Sequence, residues 1–275
     1  MNALNHPTPN FPSETSQQPR TSTIRVLAFD ADDTLWHNMT LFTLTQERFR
    51  HLLAGDGDPD QIGRKLFETE VRNLQHYGYG IKAFTLSMIE TAVELTGGKV
   101  TGEQIGAILA LGREMIASPV ELLPHVQETL ARLAGEYELM LLTKGDLFDQ
   151  EAKLARSGLG DLFRHVEVVT EKDRATYERV LVRHGLSPDE LVMVGNSVKS
   201  DILPALAAGL RAVYVPYHLT WAHEEAEVGE ADPARYAEIE HLGFLPALLG
   251  RVGTGAQLAP DSPDGPQTER MRGAD

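Results

Sequence analysis

Cysteine is absent from the 275 residues. No disulfide scaffold, Cys-ligated zinc site or cysteine nucleophile can therefore exist, and the absence fits a reducing compartment. No window approaches the run of about 20 apolar residues that a membrane-spanning helix needs. The opening stretch MNALNHPTPNFPSETSQQPRTST lacks the apolar segment of a secretory signal. The expectation is a cytoplasmic chain with no membrane partner. Basic residues are outnumbered, 25 Lys and Arg against 40 Asp and Glu, for a formal charge of −15. That balance repels phosphate backbones at long range and no basic cluster offsets it, so no nucleic-acid partner is expected. No Gly-rich phosphate loop follows the first apolar run, which excludes a nucleoside-triphosphatase loop and a dinucleotide fingerprint.

The length suits about two domains, or one domain carrying a large insertion. Residues 1–22 and 253–275 are rich in Pro, Ser, Thr, Gly and Gln and read as disordered tails. Ile24 to Phe29 is apolar without alternation, as in a strand buried on both faces. Helical periodicity then takes over. Phe42, Phe49, Leu52 and Leu53 share one face, and Asp58-Pro59 opens a second helix with Ile62, Leu66 and Leu74 inward. Ile81, Phe84, Met88, Ala92 and Leu95 form a third helix stopped by Gly97-Gly98, and Thr101 with Gln104 makes a capping box for a fourth.

From Pro124 strands and helices alternate, with strands at Leu139–Leu142, Val166–Val169, Leu191–Val194 and Ala212–Val215. The fold class expected is α/β: a Rossmann-like parallel sheet with helices on both faces, plus a helical-bundle cap domain. The core is expected over 23–38 and 120–252, and the cap over 39–119. Ligands of such sheets bind at the carboxyl ends of the strands. There the sequence places Asp30-Ala31-Asp32-Asp33-Thr34, Thr143-Lys144-Gly145-Asp146, Thr170-Glu171-Lys172 and Gly195-Asn196 through Asp201. Carboxylates packed together raise one another's pKa unless a cation joins them, and oxygen donors of this kind suit Mg²⁺.

In this order, Asp30-x-Asp32-x-Thr34, then Thr143, Lys172 and Gly195-Asn196-x4-Asp201, the chain from 24 to about 216 resembles the haloacid dehalogenase superfamily of phosphohydrolases. The resemblance implies Mg²⁺-dependent cleavage of a small phosphomonoester through an aspartyl-phosphate on Asp30, with Asp32 as general acid and base. It implies that Thr34 orients Asp32, that Thr143 and the backbone of Lys144 hold phosphoryl oxygens, and that Lys172 neutralises nucleophile and phosphate. Asp30, Asp32, Asn196 and Asp201 would hold the metal. Asp is commoner at the position of Asn196, so weaker metal binding is implied. The second Asp argues for phosphoryl transfer over dehalogenation. A weakened phosphate-binding relative and a phosphomutase are the alternatives. A receiver domain fits poorly, since its acceptor Asp follows a later strand. The partner expected is a small phosphorylated metabolite, and no oligomeric state can be read.

Between His76 and Lys82 the sequence offers a candidate specificity loop: Tyr77 and Tyr79 for stacking, Gly78 and Gly80 for hinging, Lys82 for a second anion. Trp36 and His37 are candidates for the cavity floor, and the stretch His218 to Glu225 reads as structural.

Overall fold

The computed structural model describes residues 24–55 and 57–252. The two tails expected at 1–22 and 253–275 lie outside them. Six parallel strands form one sheet: β1 (Val26–Phe29), β2 (Glu138–Lys144), β3 (His165–Val169), β4 (Leu191–Gly195), β5 (Arg211–Tyr214) and β6 (Tyr236–Glu238), in the order β3-β2-β1-β4-β5-β6. Along β1 the side chains alternate between two apolar layers. Leu27 and Phe29 join Leu139, Leu141, Val192 and Val194 on one face, while Val26 and Ala28 join Met140, Leu142, Leu191 and Met193 on the other. Every residue of β1 is buried, which is why its sequence carries no polar alternation.

Four helices follow β1: α1 (Met39–Leu52), α2 (Pro59–Tyr77), α3 (Ile81–Leu95) and α4 (Gly102–Ala117). They enclose an apolar core of their own around Phe49, Ile62, Leu66, Phe84, Met88 and Ile108. Asp58 caps α2 through Gln61 N–H with Pro59 at the first helical position, and Thr101 and Gln104 form the expected capping box. Helices α5 (Val126–Leu133), α6 (Leu147–Ser157) and, at the end of the described chain, α9 (Leu245–Val252) cover one face of the sheet. Helices α7 (Arg174–His184) and α8 (Leu203–Ala207) cover the other. The doubly wound α/β architecture expected from the alternation is therefore present.

Two details depart from the sequence reading. Strand β6 is an unforeseen edge strand of three residues, of which only Ala237 is buried, too short for any periodicity to show. The helix that the alternation calls for between β4 and β5 starts with a π-type turn, Val198–Ile202, before α8. That turn carries Asp201 back against the end of β4.

Pairing of Phe29 with Leu141 and Val194, and a bond from Asp30 N–H to the Val194 carbonyl at 2.9 Å, set the end of β1 between those of β2 and β4. Gly195 closes β4, and a Cβ there would lie 2.7 Å from Asp201 Cβ and closer still to its carboxylate. Gly195→Ala is therefore expected to displace Asp201 and to destabilise the fold by about 1–3 kcal/mol, as overpacking does. Urea unfolding checks this; a wild-type midpoint would show that Asp201 moves freely.

Candidate active site

The strand ends bring most of the expected residues to one cavity of about 200 Å³, roofed by α1, α2 and α3 and by the segment after β5. At its base Lys172 Nζ lies 2.5 Å from Asp30 Oδ1 and 2.7 Å from Asp201 Oδ1. Burial alone would discharge this ammonium, but the two carboxylates outweigh it and raise its pKa. For Asp30 burial is the larger influence and pushes its carboxyl up despite Lys172. Asp201 accepts on its other oxygen from Ser197 N–H at 2.9 Å. Tyr177, fully buried, donates to the Ser200 carbonyl and supports the turn from below.

Thr34 does not touch the Asp32 carboxylate. Its hydroxyl lies 3.0 Å from the Asn196 amide and 3.4 Å from Asp30 Oδ2, so the inference that it orients Asp32 is corrected. That task falls to residues the sequence reading missed. Asp32 accepts from Trp36 Nε1 at 2.8 Å, Gln150 Nε2 at 2.8 Å and Lys153 Nζ at 3.0 Å. Burial opposes the charge on Lys153, but Asp32 and Asp149 overcome it. Gln150 and Lys153 are three apart on α6, one face of the helix that follows Thr143-Lys144. That spacing was the available signal. Trp36 is buried in the core layer and so does not floor the cavity, and His37 pairs with Tyr217 instead.

The metal question turns on Asn196. One terminal atom of its amide lies 3.0 Å from Thr34 Oγ1, 3.2 Å from Asp30 Oδ2 and 3.2 Å from the Asp32 carbonyl oxygen. Facing them with its nitrogen it donates to all three; facing a cation, it would turn its oxygen inward. Carboxylate, carbonyl and amide oxygens are the hard donor set that Mg²⁺ takes, so these residues fit the ion. Asp201, beside this set, accepts from Lys172 on one oxygen and from Ser197 N–H on the other. Among the described residues no three His, Asp or Glu side chains gather as a metal cluster.

Thr143 is buried and lines the cavity. Lys144 lines it too, but its ammonium is held by Glu224 at 2.7 Å and Ser200 at 2.8 Å and lies 4.1 Å from the centre of the Tyr79 ring. Burial would raise the Glu224 pKa, yet Lys144 and the hydroxyls of Ser197 and Ser200 outweigh it and hold the carboxyl at about 2. Glu224 and Trp221 thus bring to the site a segment that had read as structural. Its composition lacked periodicity and gave no signal of this role.

In the candidate loop, Gly78, Tyr79 and Gly80 line the cavity and Tyr79 donates to Glu171 at 2.7 Å. Tyr77 does not: it is half exposed, with its ring against His76. Lys82 is paired with Asp146 at 2.8 Å outside the wall, so it offers no second anion site there. On the helical side the wall holds Phe42, Gln46, Glu70, Asn73, Phe84 and Ser87. Burial pushes the Glu70 carboxyl up to about 7, opposed only by the Gln46 amide, and its Oε1 has no partner among the described residues.

Because this folded pKa exceeds the ordinary 4.5, the folded chain holds the Glu70 proton to higher pH than the unfolded chain. Its share of stability is full below pH 4.5 and declines as pH rises to about 7. Glu70→Gln is expected to gain on wild type by about 3 kcal/mol between pH 4.5 and 8. Urea unfolding at the two pH values measures it, and an unchanged difference between the proteins would contradict the assignment.

Residues 24–209 match the family described as haloacid dehalogenase-like hydrolase. The chain is 27% identical over 215 residues to the glyceraldehyde 3-phosphate phosphatase of Methanothermobacter thermautotrophicus, covering 74% of this chain and 90% of that one. It is 24% identical to the N-acylneuraminate-9-phosphatase of Homo sapiens, covering 84% and 96%. The crystal structure of a haloacid dehalogenase-like hydrolase from Xanthomonas campestris superposes with a TM-score of 0.76 at 39% identity, covering 87% and 96%.

Proposed function

The chain belongs to the haloacid dehalogenase-like hydrolases, and from that premise we propose that it hydrolyses a small phosphomonoester through an aspartyl-phosphate on Asp30. One observation carries the reading. Asp30 and Asp32 stand two residues apart at the end of β1, each held by its own lysine, in the same cavity as Thr143. Paired phosphatase relatives support the reaction class, and the second carboxylate gives it the acid that an alkoxide leaving group needs.

In this reading an Asp30 oxygen attacks phosphorus, the phosphorus–alkoxide bond breaks, and the alkoxide takes a proton from the Asp32 carboxylic acid. Asp32, now a carboxylate, removes a proton from water, whose oxygen attacks phosphorus and releases Asp30 with inorganic phosphate. Lys172 holds Asp30 aligned and Thr143 hydrogen-bonds phosphoryl oxygens. Trp36, Gln150 and Lys153 fix where Asp32 sits. Asp30, the Asp32 carbonyl and Asn196 would hold Mg²⁺, which when bound supplies positive charge to the phosphoryl oxygens. Residues 39–119 act as a cap that carries the substrate-selecting wall and excludes water.

Turnover of an aryl phosphate with Mg²⁺ is expected, with loss on chelation. Asp30→Asn should abolish it, at the least by about 10³-fold. Full activity in Asp30→Asn would refute the nucleophile. Lys153→Met should lower kcat by about tenfold or more with a smaller change in KM, since it repositions Asp32 and not the phosphate. An unchanged kcat would remove Lys153 from the reaction.

A further inference from the structure

The charges around the cavity are unequally matched. Each of its three lysines has a carboxylate partner: Lys172 has Asp30 and Asp201, Lys153 has Asp32, and Lys144 has Glu224. Asp33 is held by the N–H groups of Asn38 and Met39 at the start of α1. Among the described residues, Glu70 alone of the carboxyl groups in the wall has neither a cation nor a backbone N–H. It is also the one charged side chain that α1, α2 and α3 contribute to that wall, since Lys82 faces Asp146 elsewhere.

A partly buried carboxyl whose Oε1 is shut off from solvent without a partner is a costly arrangement. The deficit is relieved by a donor arriving from the cavity and worsened by another anion. The rest of this wall carries no charge that would attract a second anion: Phe42 and Phe84, 5.0 Å apart between ring centres, Ala83 and Leu74 are apolar, and Gln46 adds an amide beside Glu70. A volume of about 200 Å³ has room for a group of several carbons.

We infer that Glu70, with Gln46, anchors the non-reacting end of the substrate, and that this end carries a hydroxyl or ammonium donor and no second anion. The inference rests on the phosphohydrolase reading and narrows it. Of the two phosphatase relatives, it favours substrates of the kind named for the archaeal enzyme, whose remainder is uncharged, over an acidic sugar. Selection is then made by the cap wall through a missing cation as much as through a present anion.

The test is kcat/KM for four alkyl phosphates, measured with the full chain and Mg²⁺ at pH 8: 2-aminoethyl phosphate, glycerol 1-phosphate, propyl phosphate and phosphoglycolate. The two donor-bearing esters are expected to lead, the larger of them telling ammonium from hydroxyl. Phosphoglycolate is expected to trail by about tenfold or more, since its carboxylate meets Glu70. In Glu70→Gln the gap between the donor-bearing esters and phosphoglycolate should narrow about tenfold, as the like charge is removed. A wild type that prefers phosphoglycolate overturns the inference, as does a folded Glu70→Gln whose gap is unchanged. If that variant does not fold, the wild-type ranking decides. Turnover of an aryl phosphate with none of the four also overturns it, whereas no turnover of any ester overturns the phosphohydrolase reading instead.

Discussion

The ammonium of Lys172, buried between Asp30 and Asp201, is the constraint around which the site is arranged. None of the three groups could remain charged there alone, because each would lose its hydration without replacement. Together they tie three chain segments that are remote in sequence: the end of β1, the loop after β3 and the π-type turn after β4. The tie also explains details that otherwise look incidental. Gly195 must lack a side chain because Asp201 fills that space, and Ser197 N–H must point inward to satisfy the second Asp201 oxygen. Truncating Lys172 would strand two buried carboxylates, so stability and the placement of Asp30 are held by one residue.

A second tier repeats the device. Asp32 and Lys153 form a pair with Gln150 and Trp36 as supports, and Lys144 and Glu224 form another with Ser197 and Ser200. The two pairs do different work. The first fixes a carboxylate beside Asp30, whereas the second fastens the segment after β5 to the rim, beneath Tyr79 of the helical insertion. Tyr79 also reaches Glu171, and Lys82 reaches Asp146, so the insertion is fastened to the sheet by polar contacts around the rim of an apolar roof.

What the sequence revealed follows from how local each feature is. Strands β1 to β5 were legible because unbroken apolar runs have no other stable place in a parallel sheet, and Asp30, Thr143, Lys172 and Asn196 were legible because each lies at or just past the carboxyl end of a strand. Gln150 and Lys153 escaped because their role appears only when α6 is laid against the end of β1. Glu224 escaped for a similar reason: it lies in a stretch without periodicity, placed by tertiary contacts alone. Tyr77 and Tyr79 make the point within three residues. They alternate across a turn in which Gly78 and Gly80 both take positive φ, so one aromatic enters the cavity while the other faces outward, and composition could not tell them apart.

The same charge pattern bears on how an anionic group could enter at all. Among the described residues six carboxyl groups line the cavity against three ammonium groups, and all three ammonium groups are already engaged. On the phosphohydrolase reading a phosphoryl dianion would be repelled by this rim unless further positive charge were supplied beside Asp30. The Asp30 carboxylate, the Asp32 carbonyl oxygen and the Asn196 amide converge at the place where that charge is needed. Asn196 makes the set one charge less negative than an Asp would. This weakens the hold on a cation but also weakens the repulsion of the phosphoryl group, so the two effects of the amide oppose each other. The raised pKa of Glu70 has a different origin from this balance: burial in the helical wall pushes its carboxyl up, and only the Gln46 amide opposes the shift.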